Sequence, residues 1–185
     1  MKITLIRHGM TEGNYKRRYI GVTDEDLRDT ECLEGGYPDC KRIVASPMQR
    51  CLQSARFIYP DKPIEICEKL CECDFGDFEN QSYEDLKDNA DYQKWLDSGG
   101  ELPFPNGEAH EDFIKRCVEG FFEMTDGETA DTAFVIHGGS IMAIMQRLFG
   151  GGFYDYQVKN VGGYVFDYNP DTKQADNMVK IESKK

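Results

Sequence analysis

Residues 2–9 have the sequence KITLIRHG, and the fold prediction for the whole chain starts from this segment. Its first five residues are mostly aliphatic and predict a buried β-strand, because such side chains suit a packed sheet. Arg7 and His8 come together where this strand ends, and Gly9 then allows a sharp turn and a close approach of the backbone to a ligand. Ligands of open α/β sheets bind beyond the carboxyl ends of the strands, which is where these two side chains are placed.

The chemistry of this pair favours an anionic substrate. A histidine beside an arginine suits attack on a phosphorylated group, because the arginine is always cationic. The three residues alone are a weak signal, since a strand-end turn with a surface histidine would show the same pattern. The rest of the chain therefore has to supply matching parts.

A second histidine repeats the placement of the first. Residues 132–136 are a continuous apolar run, which is typical of a central strand covered on both faces. The run ends in His137-Gly138-Gly139, and a helix is predicted from Ser140 to Phe149. Two strands that each end in His-Gly would bring two histidines to one edge of a sheet.

The remaining elements alternate along the chain. Further strands are predicted at residues 42–45 and 64–67, and a closing antiparallel pair at 163–168 and 177–181. Helices are predicted at 46–58, with Ser46 as N-cap, and at 82–96 and 108–124. This order predicts an α/β fold class, a single-domain three-layer α/β/α arrangement with a mostly parallel central sheet over residues 1–185.

Two further positions can carry chemistry. Arg50 falls in the first turn of the helix after residues 42–45, where it could reach a phosphate or be an ordinary solvated side chain. Residues 68–79 are dense in carboxylates and aromatic rings. An acid beside Phe75 and Phe78 would have a raised pKa suited to proton donation, unless the loop is an acidic surface turn.

The segment after Gly9 is polar and basic, and it predicts a loop or a short helix. Thr11 and Asn14 are near enough to His8 to add hydrogen-bond donors to an anion pocket, or they cap the local chain. Lys16, Arg17 and Arg18 are the densest basic patch of the chain. They could form a positive mouth for an anionic substrate or a solvated charged face.

Composition limits the partners. The formal net charge of −12 argues against nucleic acid and against anionic membrane surfaces. No apolar run approaches the length of a membrane span, and no signal peptide is visible. The seven cysteines lack paired CxxC spacing, which predicts reduced thiols, a cytoplasmic location and no metal site.

Taken together, the motifs resemble the histidine phosphatase (phosphoglycerate mutase-like) superfamily. They cover the chain from residue 3 to about 150 in the order of that family. The short length and the Glu-x-Asp-Phe-Gly box look most like the small α-ribazole phosphatase and broad-specificity phosphatase branch. The motifs that carry the resemblance are Arg7-His8-Gly9 with Thr11 and Asn14, Gly21-x-Thr23-Asp24, Ser46-Pro47-x-x-Arg50, Glu72-x-Asp74-Phe75-Gly76, Gly107-Glu108 and His137-Gly138-Gly139.

The resemblance implies a role for each matching position. His8 would be the nucleophile that forms a phosphohistidine, and Glu72 would be the proton donor and acceptor. The groups that stabilise the phosphate would be Arg7, Arg50 and His137. The substrate-binding positions would be Thr11, Asn14, Gly21, Thr23 and Gly138. No metal ion and no organic cofactor is implied.

The function expected from this resemblance is metal-independent hydrolysis of a small phosphorylated metabolite, with α-ribazole 5′-phosphate as the favoured substrate. The alternatives are a mutase of the phosphoglycerate type and a non-catalytic phosphate-binding domain. The oligomeric state stays open.

Three departures from the family pattern bear on the substrate rather than on the reaction. The segment 24–42 lacks the long helix of the family. Ala109 stands where many relatives carry serine, and Met142 where many carry arginine.

Overall fold

The computed structural model describes residues 1–182 and contains one sheet of six strands flanked by helices. The strands are β1 (Lys2–Arg7), β2 (Arg42–Ala45), β3 (Ile64–Ile66), β4 (Thr132–Ile136), β5 (Gly163–Asn169) and β6 (Gln174–Ile181). The helices are α1 (Glu12–Tyr15), α2 (Gln49–Ile58), α3 (Tyr83–Leu86), α4 (Ala90–Asp97), α5 (His110–Thr125) and α6 (Gly138–Phe149). Short 3₁₀ helices lie at Glu31–Leu33, Glu68–Leu70, Gly76–Phe78 and Phe153–Tyr156.

The sheet is mostly parallel, as the sequence predicts. Its strand order is β3-β2-β4-β1-β5-β6, in which β1 to β4 run parallel and β5 and β6 are antiparallel to their neighbours. Arg7 lies opposite Ile136, and Ala45 lies opposite Val135. The chain therefore leaves β1, β4 and β2 at the same edge of the sheet, next to one another.

Helices cover both faces of the sheet. On one face, Leu5 and Phe134 belong to the same buried cluster as Ile141 of α6. On the other face, Ile6 and Val135 are clustered with Ala55 of α2. This alternation of neighbouring residues between two faces follows from the strand period of two. It confirms the three-layer α/β/α arrangement, and every residue of β4 is buried.

Helix α2 begins later than its sequence signal indicates. Its N-cap is Met48, and no side chain caps its first turn. The prediction that Ser46 is the N-cap is wrong, because the Ser46 hydroxyl is hydrogen-bonded to His137 Nε2 at 2.8 Å. A partner distant in sequence has replaced the local capping interaction.

The helix predicted at residues 82–96 is divided into α3 and α4. Ser82 caps α3 as predicted, with its hydroxyl accepting from the amide of Asp85. The side chain of Asn89 then accepts hydrogen bonds from the amides of Asp91 and Tyr92 and starts a second helix. Asparagine favours this local bonding over a helix interior, which explains the break.

Three further features of the described chain bear on the sequence predictions. The segment before β2 has only the 3₁₀ turn Glu31–Leu33 and no long helix. All seven cysteines lie within the described residues and are free thiols. Among the helices of residues 1–182, none combines the length and the apolar character that crossing a membrane requires.

Candidate active site

His8 lies at the end of β1 and is only 3% exposed. Its Nδ1 is 2.7 Å from the carbonyl oxygen of Gly9. A carbonyl can only accept, so Nδ1 carries the proton and Nε2 keeps a free lone pair in the neutral ring. Burial, followed by the positive charges of Arg7 and Arg50, holds the pKa of His8 well below its usual value. The imidazole is therefore neutral at physiological pH, with the lone pair of Nε2 free.

Two arginines flank this histidine, of which Arg50 is buried and Arg7 is partly exposed. Arg7 donates from Nη1 to the carbonyl of Val158 at 2.8 Å. Arg50 is fully buried and donates from its two terminal nitrogens to the carbonyls of Thr23 and Gly21, both at 2.8 Å. The Nε atoms of both arginines are buried without a hydrogen-bond partner among residues 1–182. Buried donors are normally satisfied, so these two N–H groups are suited to the oxygen atoms of an anion.

The second histidine lies beside the first, as the sequence predicts. The ring centroids of His8 and His137 are 5.2 Å apart, and the rings meet edge to face. His137 is fully buried, and burial together with the charge of Arg50 holds its pKa well below the usual value. Ser46 fixes the orientation of its ring through the hydrogen bond to Nε2. The neighbouring parallel strands β1, β4 and β2 thus end beside one another and place His8, His137 and Ser46 close together.

Glu72 reaches the same point from the loop after β3. Its Oε2 accepts a hydrogen bond from the amide of Gly139 at 3.1 Å, and its Oε1 accepts from the amide of Cys73 at 3.1 Å. Loss of solvation raises the pKa of Glu72, against the lowering effect of these two amides and of the Arg7 and Arg50 charges. A carboxyl group with a raised pKa can hold a proton and donate it near neutral pH.

A cleft of about 600 Å³ opens next to these groups. Arg7, Glu72 and Gly138 line it, whereas His8, Arg50 and His137 are almost wholly buried. Its walls are rich in rings, namely Tyr19, Phe75, Trp95, Phe104, His110, Phe113, Phe153 and Tyr154. Met142 also lines the cleft, and Ala109 is the N-cap of α5 without a capping side chain. Of the two residues that depart from the family motifs, Ala109 and Met142, it is therefore Met142 that lines the cleft.

The predicted binding residues Thr11 and Asn14 interact first with each other. The Thr11 hydroxyl accepts from the amide of Asn14 at 3.2 Å and caps α1. The Oδ1 of Asn14 accepts from Nδ2 of Asn160 at 3.0 Å. Asn160 also donates to the carbonyls of His8 and Gly9, at 3.1 and 3.2 Å. Asn14 is thus connected to the backbone of His8 through Asn160, while the Thr11 side chain serves as a helix cap.

Gly21 and Thr23 hold Arg50 through their backbone. Their carbonyl oxygens accept its two terminal N–H groups, and their amides donate to Oε1 of Glu79, at 2.8 and 3.0 Å. A Cβ atom on residue 21 would lie 1.9 Å from the carbonyl oxygen of Cys73, so only glycine fits there. The loop therefore fixes the position of the arginine head group.

A second, more open cavity of about 470 Å³ adjoins the first, since Arg7 lines both. Arg17, Arg18 and Lys159 also line this second cavity, together with Asn14 and Asn160. Lys16 instead pairs with Glu12 at 3.1 Å. Two of the three residues of the predicted basic patch thus lie at a mouth next to Arg7, which favours the positive-mouth interpretation over a solvated face.

Nothing in the described part of the chain resembles a metal centre. Among residues 1–182 no group of three or more histidine, cysteine, aspartate or glutamate side chains is arranged to hold a metal ion. The charged groups that act on His8 are the cations of Arg7 and Arg50, which suit an anionic ligand.

A family model agrees with this geometry. The model of the histidine phosphatase superfamily (branch 1) matches residues 3–180. The chain belongs to the histidine phosphatase superfamily. As a histidine phosphatase, it acts on small phosphorylated compounds, which fits the two arginines beside His8.

Individual relatives have low sequence identity to this chain, but they align with most of its length. This histidine phosphatase is 28% identical to an adenosylcobalamin/α-ribazole phosphatase of Salmonella typhimurium over 80% of this chain and 79% of that one. It is 27% identical to a broad-specificity phosphatase of Saccharomyces cerevisiae over 94% of this chain and 82% of the other. The crystal structure of an α-ribazole phosphatase from Shigella flexneri has a TM-score of 0.85 at 23% identity, covering all of this chain and 96% of that one. That structural similarity shows a shared fold.

Sequence reasoning missed several residues that build the site of this histidine phosphatase. Asn160 and Glu79 act through contacts with residues far away in sequence, and no local motif marks them. Gly139 was part of a recognised motif, but its contact with Glu72 follows only from the packing of α6 against the loop after β3. Ser46 precedes a proline, a pattern that predicts an N-cap, but its hydroxyl is hydrogen-bonded to His137 instead.

Proposed function

We propose that this protein is a metal-independent phosphomonoesterase that hydrolyses a small phosphorylated metabolite through a phosphohistidine on His8. The observation that carries this proposal is the pair of unpartnered, buried Nε–H groups of Arg7 and Arg50 beside a neutral histidine. These two N–H groups of cationic side chains, which have no acceptor among residues 1–182, are matched by the equatorial oxygens of a phosphoryl group. We also propose that residues 1–185 act as one catalytic domain.

The first step forms the phosphohistidine. Nε2 of His8 attacks phosphorus while the bond between phosphorus and the leaving-group oxygen breaks. Arg7, Arg50 and His137 stabilise the charge on the transferred oxygens, and protonated Glu72 delivers its proton to the departing oxygen. The products of this step are the free alcohol, phosphohistidine and the Glu72 carboxylate.

The second step regenerates the enzyme. Water attacks the phosphohistidine, and the Glu72 carboxylate takes one proton of that water as the phosphorus–nitrogen bond breaks. Inorganic phosphate leaves, His8 is again neutral, and Glu72 is again protonated. The raised pKa of Glu72 suits both duties, because the group must gain and lose a proton in every cycle.

The aromatic walls of the cleft favour a substrate whose leaving group carries a ring system. Trp95, Phe104 and Phe153 present aromatic surface, and the buried Nε1–H of Trp95 has no hydrogen-bond partner among residues 1–182. Aromatic walls favour stacking with planar rings. Together with the relatives named α-ribazole phosphatases, this supports α-ribazole 5′-phosphate as the substrate.

The test is hydrolysis of p-nitrophenyl phosphate in excess chelator by the natural protein and by His8→Ala. We expect turnover that survives the chelator and falls by at least about 10⁴-fold in the variant, because the proposed acceptor of the phosphoryl group is removed. Chelator-sensitive turnover that is unaffected in His8→Ala would contradict the mechanism.

The substrate is tested with a panel of phosphate monoesters that includes α-ribazole 5′-phosphate, phosphoserine and 3-phosphoglycerate. We expect the highest kcat/KM for the ring-bearing ester. Transfer of the phosphoryl group to a second hydroxyl acceptor instead of water would favour the mutase alternative. Phosphate binding without any turnover would favour the non-catalytic alternative.

A further inference from the structure

A fork-shaped ion pair lies behind the loop that carries Glu72. Arg116, in α5, donates from Nε to Oε1 of Glu108 at 2.9 Å and from Nη2 to Oε2 at 2.8 Å. The side chains of Arg116 and Glu108 are only 27% and 19% exposed. Such a two-bond pair fixes the plane of the guanidinium group as well as its position.

The same guanidinium group also holds the backbone of the Glu72 loop. Its Nη1 donates to the carbonyls of Lys69 at 2.9 Å and Cys71 at 3.1 Å, and its Nη2 donates to the carbonyl of Glu72 at 3.3 Å. With the two bonds to Glu108, these contacts engage all five N–H groups that an arginine possesses. One side chain therefore fixes three carbonyls of four consecutive residues.

The Gly107-Glu108 motif closes this arrangement. The amide of Glu108 donates to the carbonyl of Asp74 at 2.9 Å, two residues beyond Glu72. A Cβ atom on residue 107 would lie 2.5 Å from that carbonyl oxygen, so glycine permits the close approach of the two segments. Residues 71–75 belong to no helix or strand. They depend on such contacts for a defined position.

We propose that Arg116, oriented by Glu108, is a positioning residue that places the Glu72 carboxyl group for proton transfer. This inference rests on the proposed role of Glu72 as proton donor. Arg116 does not line the cleft, whereas Glu72 does, so its action passes through the backbone of the loop. Proton transfer requires the donor within hydrogen-bond reach of the leaving oxygen, and a misplacement of about 1 Å can cost about 100-fold in rate.

The test compares two substrates that differ in their need for a proton donor. The p-nitrophenolate ion leaves readily without a proton, whereas an alkoxide from an alkyl phosphate such as glycerol 2-phosphate does not. The measured quantity is kcat/KM, which reports the steps through formation of the phosphohistidine. For Arg116→Met we expect a loss of about 10- to 100-fold with the alkyl ester and of about 3-fold or less with p-nitrophenyl phosphate.

Two further variants keep the test independent of folding. Glu108→Gln preserves the shape of the partner but removes its charge, and Arg116→Lys preserves the positive charge but cannot form the fork. Both should show the same selective loss of kcat/KM with the alkyl ester, but with a smaller fold-change than Arg116→Met. Circular dichroism checks that each variant is folded. Should Arg116→Met fail to fold, these two variants decide the outcome.

Matched controls are available in the chain. Arg42 forms a similar fork with Glu65 and also donates to the carbonyl of Met124, but it lies at the opposite end of β2 from the site. Arg42→Met should leave the ratio of the two kcat/KM values unchanged. Glu72→Gln should give the same selective loss as Arg116→Met, at larger size.

The outcomes separate the two proposals. Equal losses with both substrates in the Arg116 and Glu108 variants would show that the pair serves stability alone and would overturn this inference. If Glu72→Gln itself shows no selective loss, the proposed role of Glu72 fails, and the positioning role fails with it.

Discussion

At the scale of single residues, burial shifts the pKa values of His8 and Glu72 in opposite directions. It holds the pKa of His8 below its usual value and raises the pKa of Glu72. The physical cause is the same, because removal from water disfavours the charged form, which is the cation for histidine and the anion for glutamate. The result is a neutral imidazole beside a carboxyl group that keeps its proton to higher pH than an ordinary glutamate, which is the combination that the proposed first step needs.

These shifts predict the pH dependence of activity. With an alkyl phosphate, kcat/KM should fall by up to about tenfold per pH unit as the pH rises through the pKa of Glu72, because the proton donor is lost. Since the pKa of Glu72 is raised above 4.5, this fall lies at higher pH than for an ordinary carboxyl group. A pH–rate profile of the natural protein, divided by that of Glu72→Gln, removes the ionisation of the substrate and isolates the contribution of Glu72.

The profile of the natural protein before this division, corrected for the separately measured ionisation of the substrate, tests the state of His8. No loss of activity should accompany the fall in pH through about 6.5, where an ordinary imidazole takes up a proton. A loss of activity centred near pH 6.5 would show that His8 takes up a proton where an ordinary imidazole does. That result would contradict the lowered pKa of His8.

At the scale of elements, the start of α6 is packed directly against Glu72. The Gly139 amide donates to its carboxyl group, and a Cβ atom on residue 139 would lie 2.2 Å from Oε1 of Glu72 and 2.9 Å from the ring of Phe113. Glycine is therefore required at this position by the close approach of a side chain, rather than by a turn of the backbone.

Gly139→Ala should displace the Glu72 carboxyl group and lower kcat for an alkyl phosphate by about 10- to 100-fold. Thermal stability should change little, because alanine is the better helix former by about 1 kcal/mol and this gain offsets the crowding. Gly36→Ala is the matched control, since a Cβ atom there would have no neighbour within 4 Å. Unchanged kcat in Gly139→Ala would show that Glu72 tolerates the displacement.

At the scale of the whole molecule, the net charge of −12 should repel an anionic substrate. Arg17, Arg18 and Lys159 oppose this repulsion locally, because they line the cavity that adjoins Arg7. None of the ion pairs found among residues 1–182 includes any of these three. Their positive charge is therefore available to attract a phosphate ester.

The double variant Arg17→Gln/Arg18→Gln should lower kcat/KM by several-fold at low salt and by less at about 1 M salt, where screening acts within about 3 Å. The double variant Lys87→Gln/Lys94→Gln is the control. It removes the same charge from exposed residues that pair with Glu84 and Asp91. Equal effects of the two double variants would mean that only the net charge matters, and that the basic run is an ordinary solvated face.

Much of the fold could be predicted because its signals are local. The aliphatic run before Arg7 and the run before His137 identify buried strands by composition alone, and the carboxyl-end rule then places both histidines at one edge. The break at Asn89 and the late start of α2 could not be predicted. At Asn89 the side chain caps a new helix through nearby amides, whereas the Ser46 hydroxyl bonds to the distant His137, and the sequence pattern does not show which of these a polar side chain will do.

The sheet with its flanking helices and the placement of His8 and His137 at one edge follow from the sequence, because strand and helix periodicity are local patterns. The candidate roles of Arg50 and Glu72 follow from the resemblance of the motifs to the histidine phosphatase superfamily. How these groups are held follows from the folded chain alone. Ser46 orients His137, Asn160 connects Asn14 to the backbone of His8, and Arg116 fixes the loop of Glu72. Each of these contacts joins residues 44 or more positions apart, and no local pattern records such a distance.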